Sequence, residues 1–188
     1  MPTTITPVIC LNDLATIGKA EYHVPLREFP DRPDALARIC QQLRVNSVTP
    51  EELTGVDLSE VRLFECGVVL RIDGDEKVTP NCCSDLGGLQ SLRDCLDSTD
   101  GSWTQIWIGH PWISARRVGE MIEVSHPHEE SEPQRAFAMS VSELRVAVDQ
   151  AYVEVRAFLQ WMQKSLAAVL SVEACKQAME SMLGMSLD

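Results

Sequence analysis

A chain of 188 residues, 45% hydrophobic and 23% charged, has the size and composition of one soluble globular domain spanning residues 1–188. Its formal net charge of −12 is concentrated: residues 51–132 carry seventeen acids against six bases, and the segments on either side are close to neutral. Such a field repels nucleic acid and anionic lipid and attracts a basic partner or a cation, although acidic surfaces also serve plain solubility.

The first eighteen residues contain no Lys or Arg, and the apolar run 5–11 is too short to span a bilayer. Neither a secretory signal nor a membrane segment is expected, which places the protein in the cytoplasm. Seven cysteines, an odd number at irregular spacing, then read as reduced thiols that mostly fill the core. Residues 31–45 predict an N-terminal helix with Pro33 in its first turn and Leu36, Ile39, Cys40 and Leu43 on one face. Residues 49–52 have a capping threonine, a proline at the first helical position and a glutamate at the third, the opening of a short helix. The run 61–72 is rich in β-formers; a turn at 73–76 and a second strand over 77–80 make a hairpin.

After Pro80, Ser84 or Asp85 can cap a helix whose apolar stripe is Leu86, Leu89, Leu92 and Leu96. Residues 102–113 alternate as a strand, with Trp103 and Trp107 opposed to Thr104, Ile106 and Ile108. Residues 116–125 form a strand pair, or one strand broken near Gly119. The polar stretch 125–133, with two prolines, is expected to be a mobile loop. Ser140 and Glu143 then form a capping box that opens a long helix, whose stripe runs from Leu144 through Val148, Ala151, Val155, Phe158 and Met162 to Val169. Ser171 restarts a second helix that Gly184 ends.

Cys82 and Cys83 fall at a strand-to-helix junction, where backbone N–H groups and the helix dipole lower the pKa of an exposed thiol. Cys66, Cys82, Cys83, His110, His126 and His128 are the candidate metal ligands. Adjacent thiols on an extended chain point oppositely, and none of the spacings is that of a zinc site, so no metal and no cofactor is expected. A thiol nucleophile would be Cys82 or Cys83 with His110 as base and Asp85 to orient it, but no nucleophile-elbow signature accompanies them. The segment 107–112 sets His110 between Trp107 and Trp112, with Gly109 for a tight turn and Pro111 to fix direction. Amphipathic aromatic clusters of this kind are enriched at binding surfaces.

The order of these motifs, Pro80-Asn-Cys82-Cys83, a leucine helix, Trp107-Ile-Gly109-His110 with a proline after it, a strand containing Glu123 and a long C-terminal helix, resembles a group of uncharacterised bacterial proteins. Those proteins carry a Pro-x-Cys-Cys segment and a Trp-x-Gly-His segment in the same order, and the likeness covers roughly residues 60–170. It implies that Cys82, Cys83, Gly109 and His110 belong to one structural element. This chain places Trp112 directly after His110 and Pro111, where the group has an acidic residue before the proline.

The expected fold is α+β: a mainly antiparallel sheet over residues 61–124, an N-terminal helix, and a long C-terminal helix packed on one face. The expected function is protein binding through the acidic middle, with Asp73, Asp75, Glu76, Glu120, Glu123, Glu129, Glu130 and Glu132 as charges and Trp112 as aromatic anchor. By analogy with small acidic inhibitors, the partner is a basic toxin and the chain a bacterial immunity protein. The alternative is a small thiol-dependent or metal-assisted enzyme using Cys83 and His110.

Overall fold

The computed structural model describes residues 2–10, 23–39, 66–81, 85–106, 108–167 and 171–183. In chain order the elements are β1 (Thr3–Cys10), β2 (His23–Pro25), a 3-10 turn at Phe29–Asp31, β3 (Cys66–Ile72), β4 (Asp75–Val78), α1 (Gly87–Asp97), β5 (Thr104–Ile106), β6 (Ile113–Val118), β7 (Met121–Ser125), β8 (Arg135–Ser140), α2 (Val141–Leu166) and α3 (Val172–Leu183). The fold is α+β, with the 26-residue α2 packed on sheet. The strands make two four-stranded antiparallel sheets, ordered β2-β1-β3-β4 and β5-β6-β7-β8, where one sheet was expected. The chain divides into two compact units, Met1–Pro7 with Gly67–Val153, and Val8–Cys66 with Glu154–Asp188.

In the second unit the end of β1 pairs with β2, setting Val8 against Pro25, Ile9 against Val24 and Cys10 against His23. The expected helix start at residue 31 is displaced: Phe29–Asp31 is a 3-10 turn, and helix is described only at 35–39. Leu36 is 39% exposed and does not face inward; Ala35 and Ile39, four residues apart, take the buried positions. Cys40, Leu43 and the short helix expected at 49–52 lie outside the described residues. Phe29 is fully buried against Phe158 and Trp161, with ring centroids 5.9 and 6.0 Å away, both edge-on. Val155, Phe158, Met162 and Leu166 of α2 carry the inward stripe here. Ser171 does restart the chain as helix, its carbonyl accepting the Cys175 N–H at 2.9 Å.

In the first unit β3 and β4 form a hairpin with a shorter turn than expected. Ile72 pairs with Asp75, so the loop is Asp73-Gly74 alone, with φ of 55° and 86°. Both central residues at positive φ define a type I′ turn, the reason for an Asp-Gly pair here. Asp75 and Glu76 therefore belong to a strand and not to the turn. The α1 helix has Leu86 at its N-cap position with no side-chain cap, whereas Ser84, outside the described residues, or Asp85 was expected there; the Asp85 carboxylate accepts the Gly87 N–H at 2.8 Å just before it, and Leu86, Leu89, Leu92 and Leu96 are all buried. It packs against β5 and β6.

Residues 102–113 do not make one strand. β5 stops at Ile106, Gly109 turns the chain at φ 92°, the His110–Pro111 peptide is cis, and β6 starts afresh at Ile113. The hairpin β6–β7 turns at 119–120 as expected. β8, which the sequence reading left unassigned, pairs with β7 and runs straight into α2. Ser140 caps that helix, its Oγ accepting the Ser142 N–H at 3.2 Å. Leu144, Ala147, Val148 and Ala151 form the inward stripe of this part of α2. Its outer residues reach α1: Arg145 donates to the Asp97 carboxylate at 3.0 Å, and the Tyr152 hydroxyl donates to Gln90 at 3.0 Å. Among the described residues no helix is long and apolar enough to cross a membrane.

Phe158 is 2% exposed and sits in the aromatic cluster. Phe158→Ala is expected to destabilise the protein by about 3–5 kcal/mol, read from the shift in its urea unfolding midpoint at unchanged slope.

Candidate functional site

Alternation along β5–β8 sorts the second sheet into two faces. Ile106, Ile113, Ala115, Ile122, Val124 and Met139 point to the core. The opposite, outer face carries Trp103, Trp112, Ser114, Arg116, Glu123 and Ser125. At its centre Glu123 accepts from two arginines: Arg116 at 2.7 and 2.8 Å through two guanidinium nitrogens, and Arg135 at 2.9 Å. Arg116 is the cross-strand partner of Glu123, and its guanidinium also lies over the Trp103 ring, 4.5 Å from the centroid. The hydrogen bond from Arg116, joined by that from Arg135, holds the Glu123 carboxyl below its ordinary value of 4.5 against the opposing effect of burial.

One end of this face is closed by the loop 126–134. Its base is pinned where the His126 N–H donates to the Gln134 carbonyl at 2.8 Å. His128 then pairs backbone to backbone with Trp112, each N–H donating to the other's carbonyl, at 2.9 and 2.8 Å. Below that pair the Ser114 hydroxyl and His128 Nε2 are 2.9 Å apart, the Ser114 N–H donates to the Ser125 hydroxyl at 2.9 Å, and that hydroxyl donates to the His126 carbonyl at 2.8 Å. Ser125, which the sequence reading set at the junction of strand and loop, is the last residue of β7 and almost fully buried.

A serine against an imidazole invites comparison with a nucleophile and its base. Ser114 is only 4% exposed, and His128 Nδ1, which such a pair needs oriented by an acceptor, has no hydrogen-bond partner among the described residues. The contact fastens the loop to the sheet. Sequence reasoning missed it because Ser114 sits in an apolar run with no motif around it.

The expected acids scatter. Asp73 fills the positive-φ turn position; Asp75 pairs with Lys77 at 3.4 Å, and Glu76 with Arg71. All three belong to the other sheet. Glu120 sits in the β6–β7 turn, 3.7 Å from Arg117, at the end of the second sheet opposite Trp112. Glu123, counted as a surface charge, has an 11% exposed side chain and spends its charge on two arginines. Glu129, Glu130 and Glu132 are different: they are exposed, none forms an ion pair among the described residues, and their loop is bonded to Trp112 through His128. Trp112 is half-buried, with the His110 ring 5.3 Å from its own.

Cys82 and Cys83 lie outside the described residues. Their neighbour Asn81 donates its N–H to the Ile108 carbonyl at 2.8 Å, so the end of the Pro80-Asn81 segment adjoins the turn that carries His110. The four cysteines among the described residues, Cys10, Cys66, Cys95 and Cys175, are buried, and burial pushes the Cys95 thiol up to about 11. Among the described residues no three His, Cys, Asp or Glu side chains group in a way that could hold a metal ion. No family model matches the chain, and neither a curated protein nor a solved structure matches it.

Because the folded-state pKa of Glu123 is depressed, the stability it contributes is present above the ordinary glutamate range and is lost as the pH falls through the lowered value. Glu123→Gln is therefore expected to be less stable than wild type near neutrality, with the gap closing on acidification. Urea midpoints of both proteins between pH 7 and pH 3 measure it; a gap that stays constant with pH would contradict the assignment.

Proposed function

We propose that this protein is a cytoplasmic interaction domain that binds a basic protein through the loop 126–134, with Trp112 as the aromatic anchor. The observation that carries this reading is the set of three exposed glutamates, Glu129, Glu130 and Glu132, without ion pairs among the described residues, on a loop bonded to a half-buried tryptophan. Charge that is not spent internally is free to act at long range, and the excess of acids over residues 51–132 adds to the same field. Backbone bonds at residues 126, 128 and 134 shorten the stretch that binding must order to 129–133, which lowers the entropic cost of its contacts. The specific form of the reading is an immunity protein that neutralises a basic toxin; it rests on the acidic charge and the α+β architecture by analogy alone.

A thiol-dependent activity at Cys83 with His110 as base is the second reading. It is supported by the hydrogen bond from Asn81 to Ile108, which joins the two segments that carry these residues.

The test begins with affinity capture of the basic partner from cells of the native organism, followed by binding kinetics. Reversing Glu129, Glu130 and Glu132 together to Lys is expected to slow association by about tenfold or more at low salt and far less at high salt. Trp112→Ala leaves the backbone pairing with His128 in place and is expected to speed dissociation, costing about 2 kcal/mol if the indole is an anchor. Capture of no basic protein, together with turnover of a thiol-reactive ester that Cys83→Ser abolishes, would replace the interaction reading with the enzymatic one.

A further inference from the structure

The second sheet ends at β8, and among the described residues no strand lies on its other side. The other terminal strands are protected or short. β4 displays Asp75, Glu76 and Lys77, and β2 and β5 have three residues each. β8 has six residues and one charge, Arg135, which is engaged by Glu123.

The direction of its backbone groups follows from the ladder. The Val141 N–H donates to the Glu120 carbonyl at 3.0 Å, so in antiparallel alternation the pairs Ile122–Met139 and Val124–Phe137 are the hydrogen-bonded ones. Ala138, between them, turns both its N–H and its carbonyl outward. A register shift at Val124–Ser125 puts a bulge near Ala136 and limits the flat edge to the stretch after it. The half-exposed Phe137 gives an added strand one apolar contact, and the alanine at 138 leaves its backbone approachable.

We infer that a short basic extended segment of the partner adds to this edge as a fifth strand, bonding to Ala138 and laying its cations over Glu129, Glu130 and Glu132, the glutamates that precede β8 in the chain. This rests on the binding role proposed for the loop and specifies how the site is used. Charge selects the occupant. A second copy of the chain would bring another net −12 to the edge, whereas a lysine- or arginine-bearing strand meets three carboxylates that have no other partner among the described residues. Backbone pairing supplies affinity and the alternate side chains supply selectivity, the general logic of strand addition.

The probe is a synthetic peptide alternating valine and lysine, titrated into the isotopically labelled full chain and compared with the same peptide N-methylated at alternate backbone nitrogens. N-methylation keeps the charges and removes the pairing. The expected result is binding that slows exchange of the Ala138 amide and weakens by about three- to tenfold both with the N-methylated peptide and in Ala138→Pro, the loss that goes with one backbone hydrogen bond. Proline is tolerated where an edge N–H faces outward, and the N-methylated peptide makes the same test without changing the protein. If N-methylation and Ala138→Pro change nothing while Glu129, Glu130 and Glu132 reversed to Lys weaken binding, strand addition is wrong and the acidic-loop reading stands. If only the backbone changes matter, strand addition stands and the loop's role falls. A peptide that does not bind at millimolar concentration overturns the inference, as does a dimer of the chain that Ala138→Pro abolishes.

Discussion

Glu123 ties three strands of the second sheet together from the side that faces away from the core. Its carboxylate takes Arg116 of β6 on one oxygen and Arg135 of β8 on the other, while its own backbone belongs to β7. A carboxylate at this depth is tolerated because both oxygens are charge-paired, and two guanidinium forks supply more directed donors than a pair of ammonium groups could. Arg135 follows Gln134 directly, so the network fastens β8 at the point where the loop 126–134 ends. Arg116 is shared with Trp103, so the network also holds an aromatic side chain in place beside β5.

The same arrangement divides the acidic residues by use. Those on strands and turns are occupied with turn geometry, with a neighbouring lysine or arginine, or with the sheet itself. What remains on the loop is charge held near the surface by backbone bonds that do not involve the carboxylates. A count of acids along the sequence makes residues 51–132 strongly negative; among the described residues, the acids named above separate into structural and unspent groups. The two hydrogen bonds between Trp112 and His128 join the backbone of an aromatic residue to the loop that carries the unspent ones.

Sequence periodicity was sufficient for the helices that bury one stripe. Leu86, Leu89, Leu92 and Leu96, and the run from Leu144 to Leu166, have the three-and-four spacing that only a helix can turn into a single face. It was insufficient for β1, β2 and β8. Residues 3–10 bury nearly every side chain from Ile5 onward, so no alternation marks them, and β8, Arg-Ala-Phe-Ala-Met-Ser, places two alanines where a strand usually carries branched residues. The break inside 102–113 was visible in Gly109 and Pro111, which were read as part of a binding cluster while the alternation around them was read as one strand. Trp112 and the three loop glutamates were named from the sequence, and the structure joins their segments by backbone bonds. The Ser114–His128 contact that positions them was not legible, because residues fourteen apart meet only through the β6–β7 hairpin.

Burial of Cys95, on the same inward face of α1 as its leucine stripe, gives the chain an internal clock. A thiol held up at about 11 is almost wholly protonated at neutral pH and is shielded from reagents, so it reacts when the helix lifts away or the protein unfolds. The rate at which a thiol reagent modifies Cys95 in the folded protein therefore measures how often that helix opens, and a strand added at a distant sheet edge can be tested for its reach into the core by whether it slows that clock.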